Sequence, residues 1–434
     1  MSLETLKKRV VEAIDARAGE IIDIGRRIWQ NPELGYKEFK TAEIVEEKYR
    51  ELGWKYEGKL AITGSKAYLG EANESPSVGI IGELDAVRCP DHPACDPLTG
   101  AVHACGHNAQ IAAMLGAGFG IHDSSVMDFL GGNVVMVMVP AEEYLEIDYR
   151  NSLRNKGELE FFGGKQEFIH IGAFDNIDIS LGTHTGTELE GKLSVGGSNN
   201  GFIGKLVRYI GREAHAGGAP DKGVNALNAA MLGIMGIHAQ RETFREEDTI
   251  RVHPIITKGG EIVNNVPADV RIESYVRGKT VEAIKDGNKK VNRALEAGAM
   301  SVGAEVEIND LPGYMPYHHD VGIDDVMRGN CIAVVGQEQV EEGGHSTGST
   351  DMGDVSCIMP SSSFRMGGVM GEGHARTYEV VDEDLLYIVP AKVLALTCVD
   401  LLFNEAEKAI TIVKDFKPVI HRENYSKFMY ELVK

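Results

Sequence analysis

The chain has 434 residues, 43% of them hydrophobic and 25% charged, a globular composition whose length exceeds what one hydrophobic core usually serves, so two domains are expected. Its 44 Lys and Arg against 65 Asp and Glu give a net charge of −21, which disfavours nucleic acid and anionic membranes as partners and leaves an acidic substrate in need of local positive charge. The N-terminus is charged and helix-periodic, no apolar run reads as long enough to span a membrane, and the six cysteines are scattered, so a reduced, cytoplasmic protein is expected.

Leu6, Val10, Ile14, Ala18, Ile21, Ile24 and Ile28 share one helical stripe and predict a single long helix ended by Asn31-Pro32. A second helix is predicted from Thr41 to Leu52, stopped by Gly53. Val78–Asp85 reads as a buried strand; Val134–Val139 ends in Pro-Ala-Glu-Glu, and Ile177–Leu181 in Gly-Thr-His. Polar clusters thus follow strand C-termini, where open α/β sheets place their ligand sites. Leu145–Gly172 shows no clear pattern and reads as a long loop near such a site. From about 196 to 309 the pattern becomes strand (Gly204–Gly211), helix (Val224–Gln240), strands (Thr249–Thr257, Ala268–Val276), helix (Val281–Met300) and strand (Ala304–Ile308). This βαββαβ order predicts a ferredoxin-like domain inserted in an α/β domain formed by 1–195 and 310–434. Cys331–Gly336 and the helix-like Glu383–Phe403 resume the earlier style, with Pro390 expected to kink or break the latter.

His103-Ala104-Cys105-Gly106-His107 places a thiolate and an imidazole where one turn can aim both at a cation, though a buried Cys beside a surface His explains the pair as well. Glu142 and Glu143 suit a solvated helix start, or a division of labour in which Glu143 binds metal and Glu142 takes a proton from water. His184 and His374 lie among glycines, and each alone is an ordinary loop histidine. Together Cys105, His107, Glu143, His184 and His374 suffice for two ions if the thiolate bridges. Cys89, His92 and Cys95 suggest a structural zinc site only weakly; Pro90 and Pro93 favour an ordinary turn.

Seven motifs make a more specific pattern: Pro-Glu-Leu-Gly (32–35), Gly-Glu-Leu-Asp-Ala (82–86), His-Ala-Cys-Gly-His (103–107), Pro-Ala-Glu-Glu (140–143), Gly-Arg-Glu-Ala-His-Ala (211–216), Asn-Asn-Val-Pro (264–267) and Gly-Ser-Thr-Asp (348–351). In this order they resemble the two-metal aminoacylases, carboxypeptidases and amidohydrolases. The Cys-bearing branch is most similar, and 348–356 looks most like the aminobenzoyl-glutamate hydrolase group. The resemblance implies a catalytic domain with a mixed central sheet flanked by helices, and a lid or dimerisation role for the insertion. It further implies hydrolysis of an amide in an N-acyl amino acid or aminobenzoyl-glutamate-like substrate with a free carboxylate. The cofactors would be two divalent ions, zinc or manganese, with cobalt as a third candidate. It implies a homodimer in which His215 reaches the partner's site to stabilise the oxyanion, while Asn264 and Arg277 grip the substrate carboxylate.

Relatives often continue Cys-Gly-His with Asp and a further His, whereas Asn108, Ala109, Gln110 and Ile111 follow here, so Asp85 is expected to orient the ligands. Thr350 stands where relatives often have Glu, and the residues after His374 also differ, so the substrate transfers poorly. Other readings are a dipeptidase or carboxypeptidase of the same family, a thiol hydrolase with Cys105 as nucleophile and His107 or His103 as base, and a non-catalytic ligand-binding relative.

Overall fold

A computed structural model describes residues 1–71 and 75–434. The chain forms two compact units: Met1–Ser198 with His318–Gly344 and Asp354–Arg422, and Asn199–Tyr317 with His345–Gly353 and Glu423–Lys434.

The first unit is built on an eight-stranded sheet with spatial order Lys55–Leu60, Gly64–Tyr68, Asn133–Val139, Ser77–Glu83, Ile179–Thr185, Ser361–Met366, Leu193–Val195, Val340–Glu342. The sheet is mixed. Ser77–Glu83 runs parallel to both neighbours, and Ser361–Met366 runs parallel to Ile179–Thr185 but antiparallel to Leu193–Val195. Strands Ser77–Glu83 and Asn133–Val139 are buried along their whole length, which is why they read as continuous apolar runs rather than alternating ones. Their register sets Glu83 opposite Val139, so the segments that follow, with Asp85 and Glu142-Glu143, leave the sheet side by side.

Helix His107–Asp123 is buried on every face, as its nearly uniform apolar sequence demands. A Cβ at Gly120 would lie 2.4 Å from Ile14 Cγ1, so glycine permits the N-terminal helix to pack this closely. That N-terminal stripe is carried by two helices, Leu3–Ala16 and Ala18–Trp29, rather than one. The break falls at Arg17, whose guanidinium pairs with Glu20 and Asp123, while Leu6, Val10, Ile14, Ile21, Ile24 and Ile28 all stay buried. Helix Phe39–Glu51 comes next, and Gly53 beyond it adopts φ +67.

Leu145–Gly172 is not a loop but carries helices Ile147–Asn155 and Gly164–His170. Their buried faces include Arg150, Lys165, Gln166 and Glu167, so no apolar period marks them. Cys331 lies inside helix Val321–Val335. Helix Val389–Asp415 continues directly from a π-helical turn, Asp384–Ile388, so Pro390 lies at the change of winding where a kink or break is expected, and a second irregularity comes at Phe403–Ala406. Contrary to the sequence reading, one segment, Asp384–Asp415, is apolar enough to cross a membrane, but 83% of its apolar window is buried inside the protein, as in a core helix.

The second unit has an antiparallel sheet in the order Arg251–Val252, Asp269–Gly278, Gly201–Ile210, Glu305–Pro312, with Ile255–Lys258 also paired to Asp269–Gly278. Helices Ala226–Gln240 and Val281–Val302 share a core with it that includes Tyr209, Ala230, Ile272, Val291 and Leu295. The strand expected over 249–257 is split at His253-Pro254, because proline cannot donate to the ladder. Met231, Leu232 and Met235 of helix Ala226–Gln240 are exposed, as are Ile255 and Ile256.

Candidate metal centre

Helix His107–Asp123 begins at Gly106, whose φ of +86 turns the chain sharply between Cys105 and His107. A Cβ there would lie 2.4 Å from Thr185 Cγ2, so the turn is pressed against strand Ile179–Thr185. Thr185 Oγ1 donates to the Cys105 carbonyl (2.9 Å), and Cys105 Sγ lies 3.4 Å from His184 Nε2. His184 Nδ1 donates to the Thr185 carbonyl (2.8 Å), which leaves Nε2 facing the sulfur.

His107 is fully buried, and its Nδ1 meets the backbone oxygen (2.8 Å) and Oδ1 (3.2 Å) of Asp85. With Nδ1 committed to Asp85, Nε2 is the nitrogen that faces the cluster, 3.1 Å from Glu83 Oε2; burial opposes the charge of the imidazole, but the Cys105 and Glu83 charges raise it well above its ordinary value. Asp85 also accepts from the backbone N–H groups of Glu142 (3.1 Å) and Glu143 (2.9 Å), so one buried carboxylate orients three residues of the site. His374, in a left-handed conformation of φ +59, is tied through its N–H to the Ala104 carbonyl, and its Nε2 lies 3.1 Å from Glu143 Oε1.

Two groups of donor atoms result, each with all members within 4.8 Å of one another: Cys105, His107 and His184, and Cys105, Glu143 and His374. They share the Cys105 sulfur. A third group, Glu83, His107 and Glu142, adjoins them. The donor chemistry fits divalent cations: one thiolate, two imidazoles, His107 and His184, whose outer nitrogens are held by protein oxygens, and His107 Nε2 buried beside the Glu83 and Glu142 carboxylates.

The electrostatics agree. Burial and the Glu143 charge push the Cys105 thiol up, yet His184 and His107 more than reverse this and bring it to about 6. Glu143 is held at about 2, burial being outweighed by His374, which the same pairing pushes up to about 11. Protons shared in this way are those that a cation displaces on binding.

Glu142 is 7% exposed, and its Oε2 stands 4.0 Å from His107 Nε2. It belongs to neither group that contains Cys105. Glu83, from the Gly-Glu-Leu-Asp-Ala motif, accepts from Lys165 Nζ (2.6 Å) and Gln110 Nε2 (2.7 Å), and its Oε2 lies 3.1 Å from His107 Nε2. Burial opposes its ionisation, but Lys165 and His107 hold it at about 2. Asn108 donates to the Gly25 carbonyl and the Tyr387 hydroxyl, so it braces the core, while the contacts to His107, Glu142 and Glu143 are made by Asp85.

His103 is buried with neither ring nitrogen bonded, and burial with the nearby His107 charge lowers it to about 3, so it is no base for Cys105. His92 has both nitrogens engaged, by the Tyr378 carbonyl and the Ala94 N–H, and Cys95 donates to the Pro90 carbonyl, so 89–95 is a turn rather than a zinc site.

In the second unit, His215 Nδ1 accepts from the N–H groups of Gly217 (3.1 Å) and Gly218 (2.8 Å), which places the ring proton on an exposed Nε2. Asn264 is its neighbour: the Ala216 N–H donates to the Asn264 carbonyl and His215 bridges Asn265. Arg277 is not with them. It pairs with Phe202 at the far end of strand Asp269–Gly278, eight residues along from Asp269 and therefore about 27 Å away. There Nη1 reaches Ser349 Oγ (3.4 Å), and the guanidinium lies over the Phe202 and Tyr275 rings.

Comparison with known proteins gives a consistent picture. Over 98% of its length the chain is 27% identical to the Xaa-Arg dipeptidase of Homo sapiens, of which it covers 94%. It is 25% identical to an Arabidopsis thaliana IAA-amino acid hydrolase over 85% of this chain and 82% of that one. Among solved structures it is similar to a Bacillus subtilis protein described as a dinuclear metal binding peptidase from the M20 family (TM-score 0.65, 21% identity, 89% of this chain and 99% of that chain). It is similar too to the aminobenzoyl-glutamate utilization protein from Klebsiella pneumoniae (TM-score 0.67, 19% identity, 90% and 97%). These two likenesses show the shared fold. The sequence profile of Peptidase family M20/M25/M40 matches residues 79–397, so the chain belongs to that family and is a hydrolase of amide bonds.

Proposed function

We propose that the protein is a two-metal amidohydrolase that cleaves an N-acyl amino acid or an aminobenzoyl-glutamate-like amide. The observation that carries this reading is the pair of donor groups joined at Cys105, with a further carboxylate, Glu142, beside them. Cys105, His107 and His184 would hold one divalent cation, and Cys105, Glu143 and His374 a second, zinc and manganese being the ions that suit this mixed donor set. When bound, such ions polarise the amide carbonyl and lower the pKa of water toward neutrality.

Glu142 accepts the proton of the attacking water and passes it to the leaving nitrogen, a role for a carboxylate at the edge of the cluster rather than inside it. His215, protonated at Nε2, donates to the developing oxyanion. Arg277, braced over two aromatic rings, supplies the positive charge that a carboxylate-bearing substrate requires. Asn264 accompanies His215 at the opposite end of the sheet from Arg277, so one copy of the chain does not present all three to one ligand. A homodimer resolves this if the partner subunit's His215 and Asn264 serve the site. The exposed Met231, Leu232 and Met235, with the edge strand Ile255–Lys258, offer the surface.

A dipeptide with a basic C-terminal residue is the second substrate reading. The net charge of −21 attracts a cation, and the human relative is named for cleavage before Arg.

The test is amine release from aminobenzoyl-glutamate, N-acyl amino acids and Xaa-Arg dipeptides by metal-reconstituted wild type and Glu142→Gln. Turnover by the wild type that falls about 10³-fold or more in the variant is expected. Equal turnover by both removes Glu142 from its role, and turnover that survives chelation favours Cys105 as nucleophile.

A further inference from the structure

The Glu142-Glu143 pair follows Ala141, a residue with a Cβ in the left-handed region at φ +53. That conformation is unfavourable for alanine and persists only where its surroundings hold it. The N–H groups of Ala141, Glu142 and Glu143 are successive, and each points at a buried carboxylate oxygen: Ala141 at Glu38 Oε1 (2.8 Å), Glu142 at Asp85 Oδ1 (3.1 Å) and Glu143 at Asp85 Oδ2 (2.9 Å). Glu38 is fully buried, and its other oxygen accepts from Thr63 Oγ1 (2.7 Å), which fixes the plane of the carboxyl. On the opposite side Arg150 bonds the carbonyls of Glu143 and Phe162, and the Gly164 N–H donates to the Ala141 carbonyl.

We propose that Glu38 is a positioning residue for the metal centre: it holds the Ala141 peptide in its left-handed conformation and thereby aims both Glu142 and Glu143. The proposal rests on the function proposed above for Glu142, and on Glu143 as a metal donor. Asp85 fixes the second and third N–H groups, and Gly164 with Arg150 holds the Ala141 carbonyl, but the peptide before Ala141, on the other side of its φ rotation, is held through its N–H by Glu38. With the Glu38 carboxyl gone, Ala141 relaxes toward negative φ and the direction of the next two residues changes with it. A carboxyl buried only for packing would carry no such coupling to Ala141.

Four proteins decide the matter: Glu38→Ala, Glu38→Gln, Ala141→Gly and Glu38→Ala with Ala141→Gly. Each is measured for kcat and KM on the best amide substrate and, separately, for manganese affinity by titration calorimetry. Glu38→Ala is expected to lower kcat and manganese affinity by about 10- to 100-fold with KM nearly unchanged. Glu38→Gln keeps an oxygen for the Ala141 N–H and an amide for Thr63, so it should stay within about threefold of wild type. Ala141→Gly removes the steric reason for relaxation, and in that background the loss caused by Glu38→Ala should shrink several-fold.

The proposal is overturned by Glu38→Gln as damaging as Glu38→Ala, or by a Glu38→Ala loss unchanged in the glycine background. A Glu38→Ala protein that melts lower but keeps kcat and manganese affinity overturns it as well. If the wild type hydrolyses no amide, the proposed function fails, and manganese affinity still decides the role of Glu38.

Discussion

Glu38 also makes a prediction about stability. Burial, reinforced by the charge of Asp85, raises its carboxyl from 4.5 to about 7. Between those values the folded protein keeps a proton that the unfolded chain releases, so stability is lost as pH rises through about 7. The loss is bounded at about 3 kcal/mol. Melting temperatures at pH 5 and pH 8 should therefore differ more for the wild type than for Glu38→Gln; an identical difference in both refutes the assignment. Nothing in the sequence marks Glu38, because what sets it apart is burial opposite a backbone N–H more than a hundred residues away. The same holds for Arg150 and Lys165, charged side chains whose helices give no apolar period. Cys105 and His107 could be paired on paper because a single turn carries both, and Glu142 and Glu143 because they are adjacent. His184 and His374 gained their place only from accompanying motifs, since a histidine among glycines has no distinguishing local chemistry. Glu83 lay within a quoted motif, but its tie to Lys165 required the fold.

At the level of elements, the turn at Gly106 joins the helix that begins with His107 to the strand that ends beyond His184. Gly106→Ala would force a Cβ onto Thr185 in a backbone conformation that suits glycine. It should lower manganese affinity by at least about 10-fold, by separating Cys105 from His184, while Gly100→Ala, at a positive φ outside the cluster, leaves that affinity near wild type. Calorimetric titration of the two variants is the check. The strands that lead to the site were legible because burial on both faces makes them continuous apolar runs. Their order across the sheet was not, since pairing between Ser77–Glu83 and Ile179–Thr185 leaves no local trace. The N-terminal stripe was read correctly as a buried face, but the break at Arg17 was invisible because the apolar spacing continues across it. Pro390 marked the change from π to α winding, whereas the second irregularity at Phe403–Ala406 carries no proline or glycine to announce it.

For the whole molecule, the proposed dimer has a quantitative test. Glu142→Gln and His215→Ala should each be inactive as homodimers. Mixed and allowed to exchange subunits, half the dimers are hybrids, and each hybrid holds one site with both residues intact. About a quarter of wild-type activity should then return; no recovery after exchange means that His215 acts within its own chain. Met235→Glu, on the exposed face of its helix, should weaken the dimer and lower turnover together, as sedimentation and kinetics would show. The alternation of strands and helices in the second unit was legible because a one-sided sheet, an amphipathic helix, Val281–Val302, and a helix apolar on both faces, Ala226–Gln240, read differently; the separation of Asn264 from Arg277 depends on strand length and became visible only with the register. The joined donor groups also bear on biosynthesis. Cys105, His107 and His184 all precede residue 199, where the second unit begins, whereas His374 comes after it. On the ribosome, the donors of one proposed cation site are all made before residue 199, and those of the other only once His374 is added, after Asn199–Tyr317 but before Glu423–Lys434 of the second unit. The Cys105, His107 and His184 group is therefore complete as sequence while strand Ser361–Met366, which flanks the His184 strand in the sheet, is still unmade.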